Sequence, residues 1–230
     1  LIESVPAPAV WACTTCYACM ESCFCFNEHL PLLIEMRRNL VAQGAVDSHL
    51  QDALVKLGRY GNSFGTSARA RSKWAQPLEF KIKDARKETV EWLWFAGDYA
   101  SYDPRVQPAT RATARLLKHA GVDFGMLHDA EQNSGNDARR AGEEGLFDAL
   151  VEKNLAAMGK ANFKRIVTTD PHSLHTLRKE YRWSDGKPPA LHYSELFDEL
   201  FGGGKLVAAR SLGLKATYHD PCYLGRYNGV

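Results

Sequence analysis

Four cysteines, Cys13, Cys16, Cys19 and Cys23, stand in the spacing C-x2-C-x2-C-x3-C near the start of a 230-residue chain. The two-residue gaps let three thiolates converge from one tight loop onto three irons of a cubane, and the longer gap swings Cys23 away. This rhythm is that of iron-sulfur ligation, and in two-cluster ferredoxins the fourth thiolate serves the other cluster. The motif points to electron transfer through a 4Fe-4S cluster, with Cys13, Cys16, Cys19 and Cys23 as candidate ligands. By that arithmetic Cys13, Cys16 and Cys19 need a fourth ligand, and Cys23 needs a cluster supported from elsewhere. The chain has no second run of this kind. A sequence that begins at Leu1 rather than Met and stops at Val230, directly after a motif-like stretch, reads as a piece of a longer protein, with the complementary run expected upstream. Cys25 offers a local ligand for a lone cluster, and Phe24 stands where the bacterial pattern carries proline.

Two other uses of the cysteines fit less well. Structural zinc sites separate two C-x2-C knuckles by a dozen or more residues. Disulfides require an oxidising compartment, and no secretory apolar segment precedes these thiols. Composition excludes further classes. With 29 Lys and Arg against 27 Asp and Glu, interleaved along the chain, there is no nucleic-acid footprint and no basic membrane patch. No apolar run approaches the roughly 18 residues of a membrane span. The expected location is cytoplasmic, with any membrane association supplied by parts outside this chain. At 45% hydrophobic residues the sequence can bury a sizeable core.

Residues 1–45 hold the cysteine loop and then Leu30, Leu33, Ile34, Arg37 and Leu40, whose spacing marks one buried helical face. Residues 46–88 are polar and rich in Gly and Ser, with Arg69, Arg71 and Lys73 and a mixed-charge run over 81–88. They read as a connector with a solvated face that can serve for docking. From residue 89 short apolar runs alternate with helical stretches. Strands are expected over 90–96, 122–127, 165–169 and 216–218, and helices over 104–120, 137–158, 172–181 and 193–201. Such alternation predicts an α/β domain with a mainly parallel sheet, functional loops lying at the carboxyl ends of its strands. The division expected is 1–45 ligand segment, 46–88 connector, 89–215 α/β domain and 216–230 the start of a further unit.

Three of those loops carry Gly97-Asp98-Tyr99, Asn133-Ser134-Gly135 and Asp170-Pro171-His172-Ser173. Thirty-four residues separate Asp98 from Asn133, and another thirty-four separate Gly135 from Asp170. On these residues the chain resembles the heterodisulfide reductase D-like iron-sulfur oxidoreductases, defined by the cysteine-rich CCG domain. That pattern runs cysteine, long spacer, Cys-Cys-Gly, long spacer, Cys-x2-Cys. Asp98, Asn133-Ser134-Gly135 and Asp170-x2-Ser173 fall on it with all five cysteines replaced and the glycine kept. Ala100-Ser101-Tyr102-Asp103, Ala138-Arg139-Arg140 and Thr168-Thr169 flank the three positions. A second copy begins at His219-Asp220-Pro221-Cys222, followed by Tyr223-Leu224-Gly225-Arg226, with its cysteine retained.

The resemblance implies a helical ferredoxin-like 4Fe-4S segment followed by a Rossmann-like parallel-sheet CCG-type domain whose first repeat is degenerate. Intact repeats of the family bind non-cubane 4Fe-4S clusters. Soft thiolates are what such clusters select, and Asp98, Asn133, Ser134, Asp170 and Ser173 are hard oxygen donors, so the first repeat is expected empty. Cys222 becomes the candidate catalytic and cluster-binding residue of the second. The analogy supplies a flavoprotein donor and a quinone or disulfide acceptor, with a membrane subunit outside this chain. The rival reading is a non-catalytic electron-relay or scaffold subunit.

Other motifs carry less. Asp170, His172, Ser173 and His175 hold the letters of a hydrolytic triad but lie too close on one turn for its geometry. Asp98, Asp170 and His172 suit a divalent cation, against which stands a hydrogen-bonded relic loop. Gly202-Gly203-Gly204-Lys205 lacks the upstream glycine and the following Ser/Thr of a phosphate loop and reads as a helix stop. His119 and His128 read as surface or loop residues. Trp92-Leu93-Trp94-Phe95 reads as core strand, and Trp11, Tyr17, Met20 and Phe24 are expected to shield the thiolates from water.

Overall fold

Trp92-Leu93-Trp94-Phe95 forms the strand around which the protein is built, every residue of it buried. Successive side chains of a strand point to opposite faces. Trp92 and Trp94 therefore join one apolar core with Trp74, Ala114, Leu117, Met126, Val167 and Leu196, while Leu93 and Phe95 join another with Leu127, Phe147, Leu150, Ile166 and Leu174. A sheet buried on both faces needs helices on both, which is the condition for parallel pairing.

The computed structural model of the chain describes residues 5–184, 186 and 188–230; residues 1–4 of the expected ligand segment lie outside the described residues. In chain order the elements are α1 (Ala7–Ala12), α2 (Ala18–Glu21), α3 (His29–Ala42), α4 (Ser48–Tyr60), β1 (Lys83–Asp84), β2 (Trp92–Phe95), α5 (Asp98–Tyr102), α6 (Gln107–His119), β3 (Phe124–Met126), α7 (Asn136–Ala141), α8 (Glu144–Met158), β4 (Arg165–Thr168), α9 (Pro171–His175), β5 (Ala190–His192), α10 (Tyr193–Gly202) and α11 (Gly225–Asn228). Among the described residues the sheet has the order β1-β3-β2-β4-β5 and every pairing is parallel, giving an α/β fold. From β2 the chain moves outward to β3, then crosses back to β4 on the other side. The carboxyl ends of β2 and β4 thus flank the switch point at which open α/β sheets form their crevice. None of the described helices is long and apolar enough to cross a membrane.

Several sequence expectations change. The helix expected over 104–120 starts at Gln107, with Pro108 in its first turn and Pro104 left in the preceding loop. The helix expected over 137–158 is two helices, because Gly142 (φ +87°) turns the chain after Ala141. An added Cβ at Gly142 would stand 2.6 Å from the backbone nitrogen of Arg38. Glycine there is what lets α3 press its backbone against the end of α7, docking the N-terminal segment on the α/β domain. Helix α9 continues not as a regular helix but as a wide π-type turn over Thr176–Glu180.

No strand forms over 216–218. Those residues are exposed and unpaired, because an isolated short run has no core to face and no ladder to join. Strands β1 and β5 are additions, each too short to show alternation. Within 46–88 lie α4, capped by Asp47 onto the backbone N–H groups of His49 and Leu50, and the edge strand β1. Arg71, placed by sequence in the polar connector, is 1% exposed, and Trp74 is equally buried. The triple glycine does end a helix: the N–H of Gly203 returns to the Glu199 carbonyl and that of Lys205 to Leu200.

Candidate functional site

The cysteine loop runs between α1 and α3. Cys13 closes α1, Cys19 lies in the single turn of α2, and Cys23 follows it. Thr15 (φ +54°), Tyr17 (φ +69°) and Phe26 (φ +55°) adopt the left-handed conformation, three times within twelve residues and never with glycine. Such backbone is costly for residues bearing a Cβ and persists where surroundings over-determine it. The surroundings are hydrogen bonds to sulfur and a second polypeptide segment. Thr15 N–H donates to Cys13 Sγ at 3.3 Å and Asn27 N–H to Cys23 Sγ at 3.4 Å. The Cys16 thiol is held below its ordinary pKa, first by the Ala18 backbone N–H, with the Thr14 hydroxyl and the Arg226 charge assisting against burial.

The second segment is the one that carries Cys222. Arg226 Nε donates to the Cys16 carbonyl at 2.7 Å, and the Tyr227 hydroxyl donates to the Thr15 carbonyl at 2.7 Å. Thr15 Oγ1 and Tyr223 Oη are hydrogen-bonded at 3.0 Å. Tyr223 and Tyr227, four residues apart, stack at 4.2 Å with a 4° tilt. Tyr17 packs on Tyr227 and His172 on Tyr223, while His175 lies edge-on to both rings. Burial pushes the Tyr223 and Tyr227 hydroxyls above the ordinary tyrosine range.

All six cysteines are free. Cys13, Cys16, Cys23 and Cys222 are partly buried; Cys19 and Cys25 are exposed. Among the described residues no group of three or more His, Cys, Asp or Glu side chains is gathered closely enough to hold a metal ion, so the candidate ligands share a loop without converging. The donor set itself fits an iron-sulfur cluster: soft thiolates, with backbone N–H groups already aimed at two sulfurs. Trp11, Tyr17 and Met20 are half-buried beside the loop, whereas Phe24 points to solvent and shields nothing.

The three loops read from the spacing do meet, at the carboxyl ends of β2, β3 and β4. Asn133 Nδ2 donates to Asp98 Oδ2 at 2.8 Å and to Asp137 Oδ2 at 3.1 Å, while Asn133 Oδ1 accepts from Gly135 N–H. A Cβ at Gly97 would lie 3.6 Å from that of Asp170. Gly135, the retained glycine, has φ +87° and an added Cβ there would stand 2.8 Å from the Phe147 ring; both conformation and space demand glycine whether or not thiols flank it.

Beneath these loops Arg71 bridges Asp98 at 2.8 Å and Glu131 at 2.9 Å, all three side chains at most 3% exposed. Glu131 also accepts from the N–H groups of Ala96 and Gly97. The two carboxylates outweigh burial and raise the Arg71 pKa, so the guanidinium stays charged. Asp170 caps α9, accepting from His172 N–H, Ser173 N–H and Ser173 Oγ, and lies 3.2 Å from His172 Nδ1. Burial opposes both charges of that pair, and the hydrogen bond overrides it, drawing the aspartate pKa down and the histidine up. The Asp98, Asp170 and His172 cation site is not assembled: Asp98 is committed to Arg71 and Asn133. Sequence reasoning missed Arg71 and Glu131, for which no local signal exists. It also missed Tyr223 and Tyr227, whose i, i+4 spacing beside Cys222 was legible.

A cleft of about 350 Å³ lies between the two regions, lined by Cys13, Thr15, Arg37, Asp137, Arg140 and His172 among others. Asp137 stands exposed on the wall of this cleft, and the loss of surrounding solvent there pushes its carboxyl up.

Residues 92–178, from β2 through α9, match the cysteine-rich CCG domain family, although that stretch contains no cysteine. The chain is 40% identical over 228 residues to the probable iron-sulfur-binding oxidoreductase FadF of Bacillus subtilis, covering 96% of this chain and 32% of that protein. It is 39% identical to the EtfAB:quinone oxidoreductase of Syntrophomonas wolfei, covering 100% of this chain and 33% of that protein. A component of the dihydromethanophenazine:CoB–CoM heterodisulfide reductase of Methanosarcina mazei is 29% identical, with 96% of this chain and 54% of that protein covered. The chain is a relative of the heterodisulfide reductase D-like, CCG-domain iron-sulfur oxidoreductases. It spans about a third of the length of the first two relatives and about half of the third. No solved structure matches it.

Proposed function

We propose that this chain is the electron-transfer part of an iron-sulfur oxidoreductase. In this reading Cys13, Cys16, Cys19 and Cys23 ligate 4Fe-4S cubane iron, the N-terminal segment is a helical ferredoxin-like module, and the domain beyond is a Rossmann-like CCG unit. Cys222 belongs to the acceptor site, where a non-cubane cluster would complete a second repeat. When bound, the clusters supply one-electron carriers whose potential depends on ligands, hydrogen bonds and solvent exposure.

What the chain's own residues do follows from their contacts. Thr15 and Asn27 aim N–H groups at the sulfurs, and Arg226, Tyr227 and Tyr223 clamp the loop against the Cys222 segment. One observation carries the reading: the segment bearing Cys222 is fastened to the cysteine loop at three points, so donor-side and acceptor-side thiols are held in one unit. The names of the relatives support a flavoprotein donor and a quinone or disulfide acceptor. In the same reading the chain lies on the cytoplasmic side of a membrane partner. The absence of cysteine from 92–178 favours a second reading, in which the first repeat is a scaffold and the chain a relay without turnover of its own.

Anaerobic purification tests the proposal. Iron and acid-labile sulfide in near-equal amounts are expected, with an EPR signal on dithionite reduction that disappears in the Cys13→Ser, Cys16→Ser, Cys19→Ser triple variant. A colourless, iron-free and fully folded protein would overturn it.

A further inference from the structure

Two arginines are buried among the described residues, and only one has a carboxylate. Arg71 is held between Asp98 and Glu131. Arg37, on α3, is 6% exposed, and its guanidinium donates to carbonyl oxygens alone: Arg140 at 2.8 Å, Val10 at 3.1 Å, and Cys13. Its Nε is buried without a hydrogen-bond partner, and it makes no ion pair with any described carboxylate. The Trp11 ring covers it at 5.3 Å. A buried cation is strongly unfavourable without opposite charge beside it, and arginine does not escape by losing its proton. The complementary charge must come from what Arg37 faces. That is the cleft beside Cys13, Thr14 and Thr15, in which Arg140 is neutralised by Glu180, His172 is paired with Asp170, and the Asp137 carboxylate makes no ion pair with Arg37.

We propose that Arg37 is a positioning residue for the cysteine loop and the counter-charge of the iron-sulfur cluster that Cys13 helps to hold, raising the potential of that cluster. The inference rests on the ligand reading above. A cluster on thiolates is a net anion, and reduction adds one electron taken from an external donor. A fixed positive charge held on the Cys13 carbonyl favours the more negative state. Through Val10, Cys13 and Arg140 the same fork ties α1, the loop and α7 together, so charge and geometry act on one centre.

The test uses the full-length, cluster-loaded protein in an EPR-monitored redox titration with dithionite as reductant. In R37Q the reduction equilibrium constant is expected to fall about tenfold or more, about 59 mV for one electron. R37K keeps the charge and is expected to retain more than half of that difference. Full iron content in R37Q with an unshifted potential would overturn the proposal, as would an R37K shift equal to that of R37Q. Should R37Q fail to fold or load, R37K decides: a potential near the wild type supports the counter-charge, and a tenfold fall sinks it. A wild-type protein free of iron and sulfide removes the ligand reading itself, an outcome distinct from iron present but insensitive to Arg37.

Discussion

The cysteine loop and the pocket at the ends of β2, β3 and β4 face the same cleft, and they differ in what satisfies their polar groups. In the pocket, side chains satisfy one another: Arg71 with Asp98 and Glu131, Asn133 with Asp98 and Asp137, Asp170 with His172 and Ser173. In the loop the backbone is bent into left-handed turns, the thiols remain free, and buried Arg37 makes no ion pair among the described residues. The pocket, which holds no thiol, closes through its own ion pairs and hydrogen bonds. The loop presents thiols that no described disulfide joins.

Removing one carboxylate from the pocket separates the two regions most sharply. Asp98→Ala leaves Arg71 with Glu131 alone and removes one of the two carboxylates that accept from Asn133, and removal of one partner of a buried ion pair typically costs about 3–5 kcal/mol. Chemical denaturation should show that loss while iron content stays at the wild-type value; a fall in iron would return a metal to the pocket.

Acid should act on the seam between the regions. Burial pushes the Glu180 carboxyl up, but the approach of His175 Nε2, at 3.7 Å, and the charges of Arg140 and Arg139 win and hold it down at about 2, against an ordinary 4.5. A carboxyl depressed in the folded state stabilises above its ordinary pKa and loses that contribution as pH falls through the folded value. The stabilisation is worth about 3 kcal/mol at neutral pH and should fade between about pH 5 and pH 2. Thermal melts across that window would show it, and Glu180→Gln should flatten the profile; an unchanged slope would remove Glu180 from the seam.

The smallest effect belongs to Cys25. It is exposed between Phe24 and Phe26, which are 90% and 88% exposed. Cys25→Ser should leave iron content and the reduced EPR signal unaltered, and a loss of either would make Cys25 the missing fourth ligand.

Much of this arrangement was readable in one dimension because it rests on local rules. The apolar runs around Trp92–Phe95 and Arg165–Thr168 marked buried strands, and the two thirty-four-residue spacings placed three loops at one sheet edge. The face of α3 through Leu30, Ile34, Arg37 and Leu40 was legible from its period, with Arg37 standing among apolar residues as the exception. What failed were features whose cause lies far away in the chain. The break after Ala141 answers the close approach of α3, and the burial of Arg71 answers Glu131, sixty residues on. The strand expected over 216–218 had local propensity and no partner.

By itself the sequence determined the donor chemistry, since only side-chain identity decides whether a position offers a soft thiolate or a hard oxygen. It also determined the alternation that makes an α/β sheet, because strand and helix periods are written residue by residue. The tertiary structure alone decided that the Cys222 segment clamps the cysteine loop, that the pocket is self-satisfied, and that Arg37 is a buried charge facing Cys13. Those outcomes depend on burial and on pairs far apart in the chain, which no local pattern encodes.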